Sequence, residues 1–247
     1  MVNFNPVLPP LLTKFLNRFR KGFTQPTFVS FSIYVATLFL ELKRTNLYSM
    51  TARNPQIRYE NMQYFLSEAN WDCAALNHQR IQLLARNRTT RSSRKGVLVI
   101  DDSGCKKWGI HIEGTAVQHY GTEDIQTNCN VVVVSAYCDP VKRYPINLLP
   151  YRPEKYFPAG KDDPDFKSKI DLAKELITDA IQQKIQFSDI IFDAWYFANH
   201  LVDDIQLQRL TFITEAPVDR LISYHGKWVH AGELVKLIPV HKFNRTV

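Results

Sequence analysis

Apolar residues first recur at helical spacing at Leu11, Leu12, Phe15, Leu16 and Phe19, with Lys14, Arg18, Arg20 and Lys21 between them. That pattern predicts an amphipathic helix with a basic face, ended by Gly22. Thr24 and Pro26 occupy the capping and first-turn positions of a second helix, running to about Lys43. Its most apolar stretch, Phe28 to Leu42, carries Ser30, Ser32, Thr37 and Glu41 and is shorter than the ~20 residues of a membrane span, so a core helix is expected. Further helices are predicted over Tyr59–Leu66 and Asp72–Arg86, the second with Leu76, Leu83 and Leu84 as its apolar positions. The first part of the chain reads as a small helical bundle.

Beyond Lys95 the period changes. Val97 to Ile100 is a continuous apolar run, as in a strand covered on both faces, and it ends at Asp101 and Asp102. Val131 to Tyr137 is a second β-branched run, and the turn signal Asp139-Pro140 leads to Tyr144 through Leu149, which predicts an antiparallel hairpin. Ile170, Ala173, Ile177, Ala180 and Ile181 repeat at helical intervals behind Asp163 and Pro164, giving a helix that ends near Lys184. Ile190 to Phe192 is a strand closed by Asp193. A helix over Tyr196–Gln206, a strand over Leu210–Thr214 and a hairpin over Ser223–Val229 around Gly226 follow. Three strands, a helix, a strand, a helix and a strand is the order of a ribonuclease-H-like α/β domain, a mixed β-sheet flanked by helices.

Charge sharpens the division. Up to Lys95 there are 14 basic and 4 acidic residues, a net of +10; after it, 17 basic and 20 acidic, a net of −3. Gly22 is the only glycine of nine before residue 96. A boundary is therefore expected there, with 1–95 a basic helical region and linker and 96–247 the α/β domain. The run Arg86 to Lys95 has five cations and no apolar side chain, and reads as exposed linker. Cys73, Cys105, Cys129 and Cys138 have neither CxxC spacing nor a matching histidine pair, so reduced thiols are expected rather than a zinc site or disulfides. Nothing at the N-terminus has the order of a secretory signal, so the protein is expected to stay in the compartment where it is made.

Carboxylates at the ends of neighbouring strands can bind two hard divalent cations, which steady the attacking and leaving oxygens of a phosphoryl displacement. Because side chains alternate along a strand, Asp101 and Asp102 should point to opposite faces, and at most one should be a direct ligand. Pattern alone leaves open that these aspartates cap turns or pair with Lys106 and Lys107. Trp108, Trp195, Tyr196, Tyr120 and Trp228 read as core more readily than as base-stacking surfaces. His111, His119, His200, His225 and His230 lack ligand spacing, and Ser103 lacks a nucleophile context.

The segment IDDSGCKKWGIHIEGTAVQHYG, Ile100 to Gly121, resembles the first catalytic motif of DDE transposases of bacterial insertion sequences, in Asp101, Asp102, Ser103, Gly104, Lys106, Lys107, Gly114, Ala116, Gln118 and Gly121. Upstream, Phe19, Arg20, Phe23, Pro26, Phe28, Phe65, Leu66, Trp71 and Asp72 resemble the helical DNA-binding region of that family. The resemblance implies that Asp101 and Asp193 are catalytic metal-binding carboxylates, with Asp102 a runner-up or supporting group. It implies magnesium or manganese, two ions in the intact site, and double-stranded DNA, both transposon ends and target, as partner. It further implies a homodimer in a synaptic complex and a location in the bacterial cytoplasm with the nucleoid, away from membranes. Arg18, Arg20, Lys21, Arg86, Arg88, Arg91, Arg94, Lys95, Lys106 and Lys107 are the expected DNA contacts, with Arg80 lining the path to the active domain.

One departure stands out. In the family branch with a strand-rich insertion, the third acid is a Glu within Tyr-x-x-Arg-x-x-x-Glu, and no such spacing occurs; Glu215 and Glu233 read as solvated. The chain stops at Val247, where the insertion would be under way, so the expectation is a C-terminally incomplete transposase with impaired catalysis. The competing expectation is a non-catalytic DNA-binding fragment that regulates transposition, and a weaker third is an unrelated ribonuclease-H-like nuclease.

Overall fold

The computed structural model describes residues 9–40, 46–55, 57–109 and 111–238. The chain divides into two units, Met1–Leu84 and Ala85–Val247.

In the first unit, α1 (Pro10–Leu16) tightens into a 3₁₀ turn, Asn17–Gly22, which buries Phe19 one turn after Leu16. The next helix, α2 (Gln25–Leu40), accommodates its hydroxyls by local bonding: Ser32 donates to Phe28 O at 2.8 Å and Thr37 to Ile33 O at 2.8 Å. The predicted end at Lys43 lies outside the described residues. A helix the pattern did not predict, α3 (Leu47–Arg53), starts from a capping box in which Ser49 N donates to Asn46 Oδ1 at 2.8 Å and Asn46 N to Ser49 Oγ at 3.1 Å. It brings Met50 against Ile33, Ile57 and Met62. Helices α4 (Tyr59–Ser67) and α5 (Cys73–Arg86) follow; Ile81, rather than the three leucines, is the buried side chain of α5. Phe23 stacks on Phe31 at 4.6 Å and Phe65 on Trp71 at 5.5 Å, so most of the aromatic residues in the upstream motif build this unit's core. No helix among the described residues is long and apolar enough to cross a membrane.

The second unit is a mixed six-stranded sheet. Its strands are β1 (Val97–Lys106), β2 (Ala116–Tyr120), β3 (Ile125–Cys138), β4 (Arg143–Tyr151), β5 (Asp189–Ile191) and β6 (Thr211–Ile213). They run in the order β2-β3-β1-β5-β6, with β4 also paired to β3. β1 and β3 are antiparallel from Val97 opposite Cys138 to Lys106 opposite Cys129, while β1, β5 and β6 are parallel. Alternate β3 residues Cys129, Val131, Val133, Ser135 and Tyr137 are buried on the face that α6 (Lys169–Gln182) covers with Ile170, Ala173, Leu176, Ile177 and Ala180. α7 (Asn199–Leu207) packs beside α6 and β6 through Leu201 and Ile205. The hairpin β7 (Leu221–Tyr224) and β8 (Lys227–His230) turns at His225 and Gly226, both with positive φ, as a type I′ turn demands; α8 (Ala231–Leu237) follows.

The α/β class and the order of its main elements agree with the sequence pattern, while three local readings change. β1 does not stop at its carboxylates but continues to Lys106, because the long β3 supplies partners past the end of the apolar run. β2, a strand the pattern did not predict, pairs with the start of β3. The helix predicted over Tyr196–Gln206 starts later, as α7 from Asn199, and Tyr196 instead ends a separate 3₁₀ turn, Ala194–Tyr196.

The basic run 86–95 is held at its far end: Ser92 Oγ accepts from Gln186 N at 2.9 Å, and Ser93 N donates to Tyr137 Oη at 3.0 Å. Tyr137, wholly buried, donates its own hydroxyl proton to Asp139 Oδ2 at 2.8 Å. Gly96 lies against this ring, so close that a Cβ would sit 2.4 Å from it.

Candidate active site

The carboxylates sit where the sheet changes width. β5 pairs with β1 only as far as Val99 opposite Ile191; Asp101 lies two residues further along β1, and Asp193 lies two residues past the end of β5. Equal offsets along extended backbone give equal parity, the geometry that would bring the two side chains to one face at adjacent strand ends. Asp101 Oδ1 accepts from Asp102 N at 2.8 Å, which fixes its rotamer. Asp193 caps the 3₁₀ turn after β5: its Oδ1 accepts from Trp195 N at 3.0 Å and Tyr196 N at 3.2 Å. Thr214, just beyond β6, donates to Asp193 O at 3.1 Å and holds the strand end in place.

Asp102, of opposite parity, turns to the α6 face. There its Oδ2 accepts from Lys169 Nζ at 2.6 Å. Lys169 opens α6 behind the capping box of Ser168 and Asp171, and its ammonium also lies over the rings of Trp195 at 5.2 Å and Tyr151 at 5.8 Å. Lys106, one possible partner of the aspartates, instead pairs with Glu123 at 3.0 Å and lies over Trp108.

Burial first, then the charges of Asp102 and Asp193, push the Asp101 carboxyl above its ordinary range against the opposing Asp102 N–H bond. Tyr196 completes the picture. Its ring is wholly buried, its hydroxyl finds no hydrogen-bond partner, and burial followed by the charges of Asp102, Asp101 and Asp193 suppresses its acidity strongly. Hard oxygen donors, excess negative charge and an unsatisfied hydroxyl suit a hard divalent cation, which Asp101 and Asp193 could hold. Among the described residues no three His, Cys, Asp or Glu side chains gather into a metal-binding group. Glu215 and Glu233 are both exposed.

Of the expected DNA contacts, Arg18, Arg20, Lys21, Arg86, Arg88, Arg91, Arg94 and Lys95 are exposed, and Lys106 and Lys107 half-buried. Arg20 is drawn toward Gln25 and the Phe28 ring. Among the aromatics read as core, Tyr196 is buried but Trp195, Trp108 and Trp228 are largely exposed. Lys169 was missed by sequence reasoning; the readable sign was the Ser168–Asp171 box, which fixes where α6 begins.

The family model for DDE superfamily endonucleases matches residues 18–226. No curated protein matches the chain. Among solved structures, a piggyBac transposase in a synaptic complex with hairpin DNA is similar at 11% identity and a TM-score of 0.42, over 79% of this chain and 42% of that one. The Drosophila P element transposase in a strand transfer complex is similar at 12% identity and a TM-score of 0.36, over 91% of this chain and 55% of that one. The chain thus spans about half the length of these transposases.

Proposed function

Because the chain belongs to the DDE superfamily endonucleases, we propose that it is a DNA transposase of an insertion sequence, cutting element ends and joining them to target DNA through Asp101 and Asp193. The observation that supports this reading is the equal offset of those two residues, each two positions past the paired Val99 and Ile191. Bound magnesium or manganese, two ions in a complete site, would activate a water and neutralise the phosphate. The chain's own part is to hold the ligands: the Asp102 N–H orients Asp101, the 3₁₀ turn orients Asp193, and Lys169 keeps Asp102 on the other face. No third acid joins the pair among the described residues, so slow turnover is expected. A synaptic homodimer on double-stranded DNA in the cytoplasm is the corresponding assembly.

The +10 charge of residues 1–95 favours a second reading, a DNA-binding chain that occupies element ends without cutting and so regulates transposition. Incubating the protein with supercoiled plasmid and manganese, beside Asp101→Asn, separates the two. Nicking lost in the variant with DNA binding retained supports cutting; nicking equal in both refutes the assigned site; binding without nicking leaves the regulatory reading.

A further inference from the structure

Residues 86–95 contain no apolar side chain, so only hydrogen bonds can hold them to a fold. They are held throughout. Asn87 Oδ1 accepts from Thr89 N at 3.0 Å and Asn87 O accepts from Arg91 N at 2.8 Å, which closes a turn directly after α5. Ser92 Oγ accepts from Gln186 N at 2.9 Å and Gly96 O from Ser188 N at 2.8 Å, tying the run to the segment that leads into β5. At the end of β3, Tyr137 Oη has one proton to give, and the Asp139 carboxylate at 2.8 Å takes it ahead of Ser93 O at 3.3 Å. A lone pair of the same oxygen is then free to accept from Ser93 N at 3.0 Å. Asp139 is itself locked: its Oδ1 accepts from Val141 N and Lys142 N at 2.8 Å, and only 5% of its side chain is exposed.

The side chains of the run sort by chemistry. Thr90, Ser92 and Ser93 are half-buried, whereas Arg86, Arg88, Arg91, Arg94 and Lys95 are exposed. Among the described residues none of these five cations pairs with a carboxylate. All of them belong to the second unit, with the sheet. A flexible linker would lose backbone entropy for every residue ordered on a bound polyanion, but this run is ordered beforehand.

We propose that residues 86–95 form a preshaped loop for the phosphate backbone of double-stranded DNA, with Tyr137 as its positioning residue, acting through Ser93. This rests on the proposed function only in taking DNA as the partner. The wholly buried Tyr137 touches no DNA; its hydroxyl fixes the backbone from which the cations project.

Hydrogen exchange and binding to a duplex of arbitrary sequence over a range of salt test this on the full chain, in wild type, Tyr137→Phe and Ser92→Ala. In wild type the amides of Arg91, Ser93 and Gly96 should be protected before DNA is added and more so after. Tyr137→Phe, held below its melting temperature, should exchange faster there. It should bind the duplex roughly 5- to 30-fold more weakly, the ordering entropy of one residue, with the salt slope unchanged because all five cations remain. Ser92→Ala should move both readouts the same way by a smaller factor, and its result decides the proposal if Tyr137→Phe does not fold. Wild-type affinity in the folded variants, or a salt slope that falls together with affinity, overturns the preshaping and leaves DNA binding intact. So does a wild-type complex in which these amides gain no protection. A wild type that binds no duplex refutes DNA as the partner, and this role with it.

Discussion

Lys169 Nζ lies 2.6 Å from Asp102 Oδ2, joining the start of α6 to the middle of β1 across 67 residues of chain. Both side chains are mostly shielded, at 17% and 26% exposure, so the bond should matter more than a surface pair. Lys169→Met should destabilise the protein by about 1–3 kcal/mol, by leaving a charged acceptor unpaired. Adding Asp102→Asn should then cost less than it does alone. Urea unfolding of both singles and the double gives the coupling; a value near zero would show that the pair contributes nothing.

The raised Asp101 carboxyl makes a prediction about pH. A carboxyl whose folded pKa lies above its unfolded value stabilises the fold while protonated, and that contribution disappears as pH rises through the folded pKa. Asp101→Asn should therefore melt above wild type at pH 7, and the gap should close below about pH 4, where the unfolded aspartate is also protonated. Melting curves across this range check it; a variant less stable than wild type at pH 7 would contradict the charge crowding.

Gly96 is required for space, not for its backbone angles. A methyl there would fall 2.4 Å from the buried Tyr137 ring, whose hydroxyl is bound to Ser93 and Asp139. Gly96→Ala should cost about 3 kcal/mol, at the upper end for overpacking. Chemical denaturation measures it, and a loss below half that figure would mean that the ring yields easily.

The exposed cations of the 86–95 run can be tested by salt. Replacing Arg86, Arg88, Arg91 and Arg94 with alanine should weaken DNA binding uniformly across sequences. It should also lower the slope of log affinity against log salt by about 0.9 for each phosphate that is no longer neutralised. An unchanged slope would remove this run from the binding surface.

Legibility followed the range of the forces involved. α6 could be read because its apolar period and its Ser168 cap are local, and the β7–β8 turn because Gly226 sits where a positive φ is needed. The end of β1 could not, since the hydrophobic run stops at Ile100 while pairing to β3 continues to Lys106. α3 escaped because seven residues give too little periodicity, although Asn46 and Ser49 spelled out its cap. At the site, the alternation of Asp101 and Asp102 was visible in advance, but the partner of Asp102 was a tertiary matter. Trp195 and Tyr196 are neighbours with opposite surroundings, one mostly exposed and one wholly buried, because the turn capped by Asp193 sends them in different directions.

In the proposed function that turn gives Asp193 two employers. One oxygen, Oδ1, is already committed to the two backbone N–H groups that shape the corner, and only Oδ2 is spare for a guest. Asparagine would keep the corner and forfeit the charge; alanine would forfeit both; glutamate, one methylene longer, would push its head group past the amides it must hold. If Asp193 holds the proposed cation, one short side chain both shapes the corner and supplies the ligand, so few substitutions could keep both.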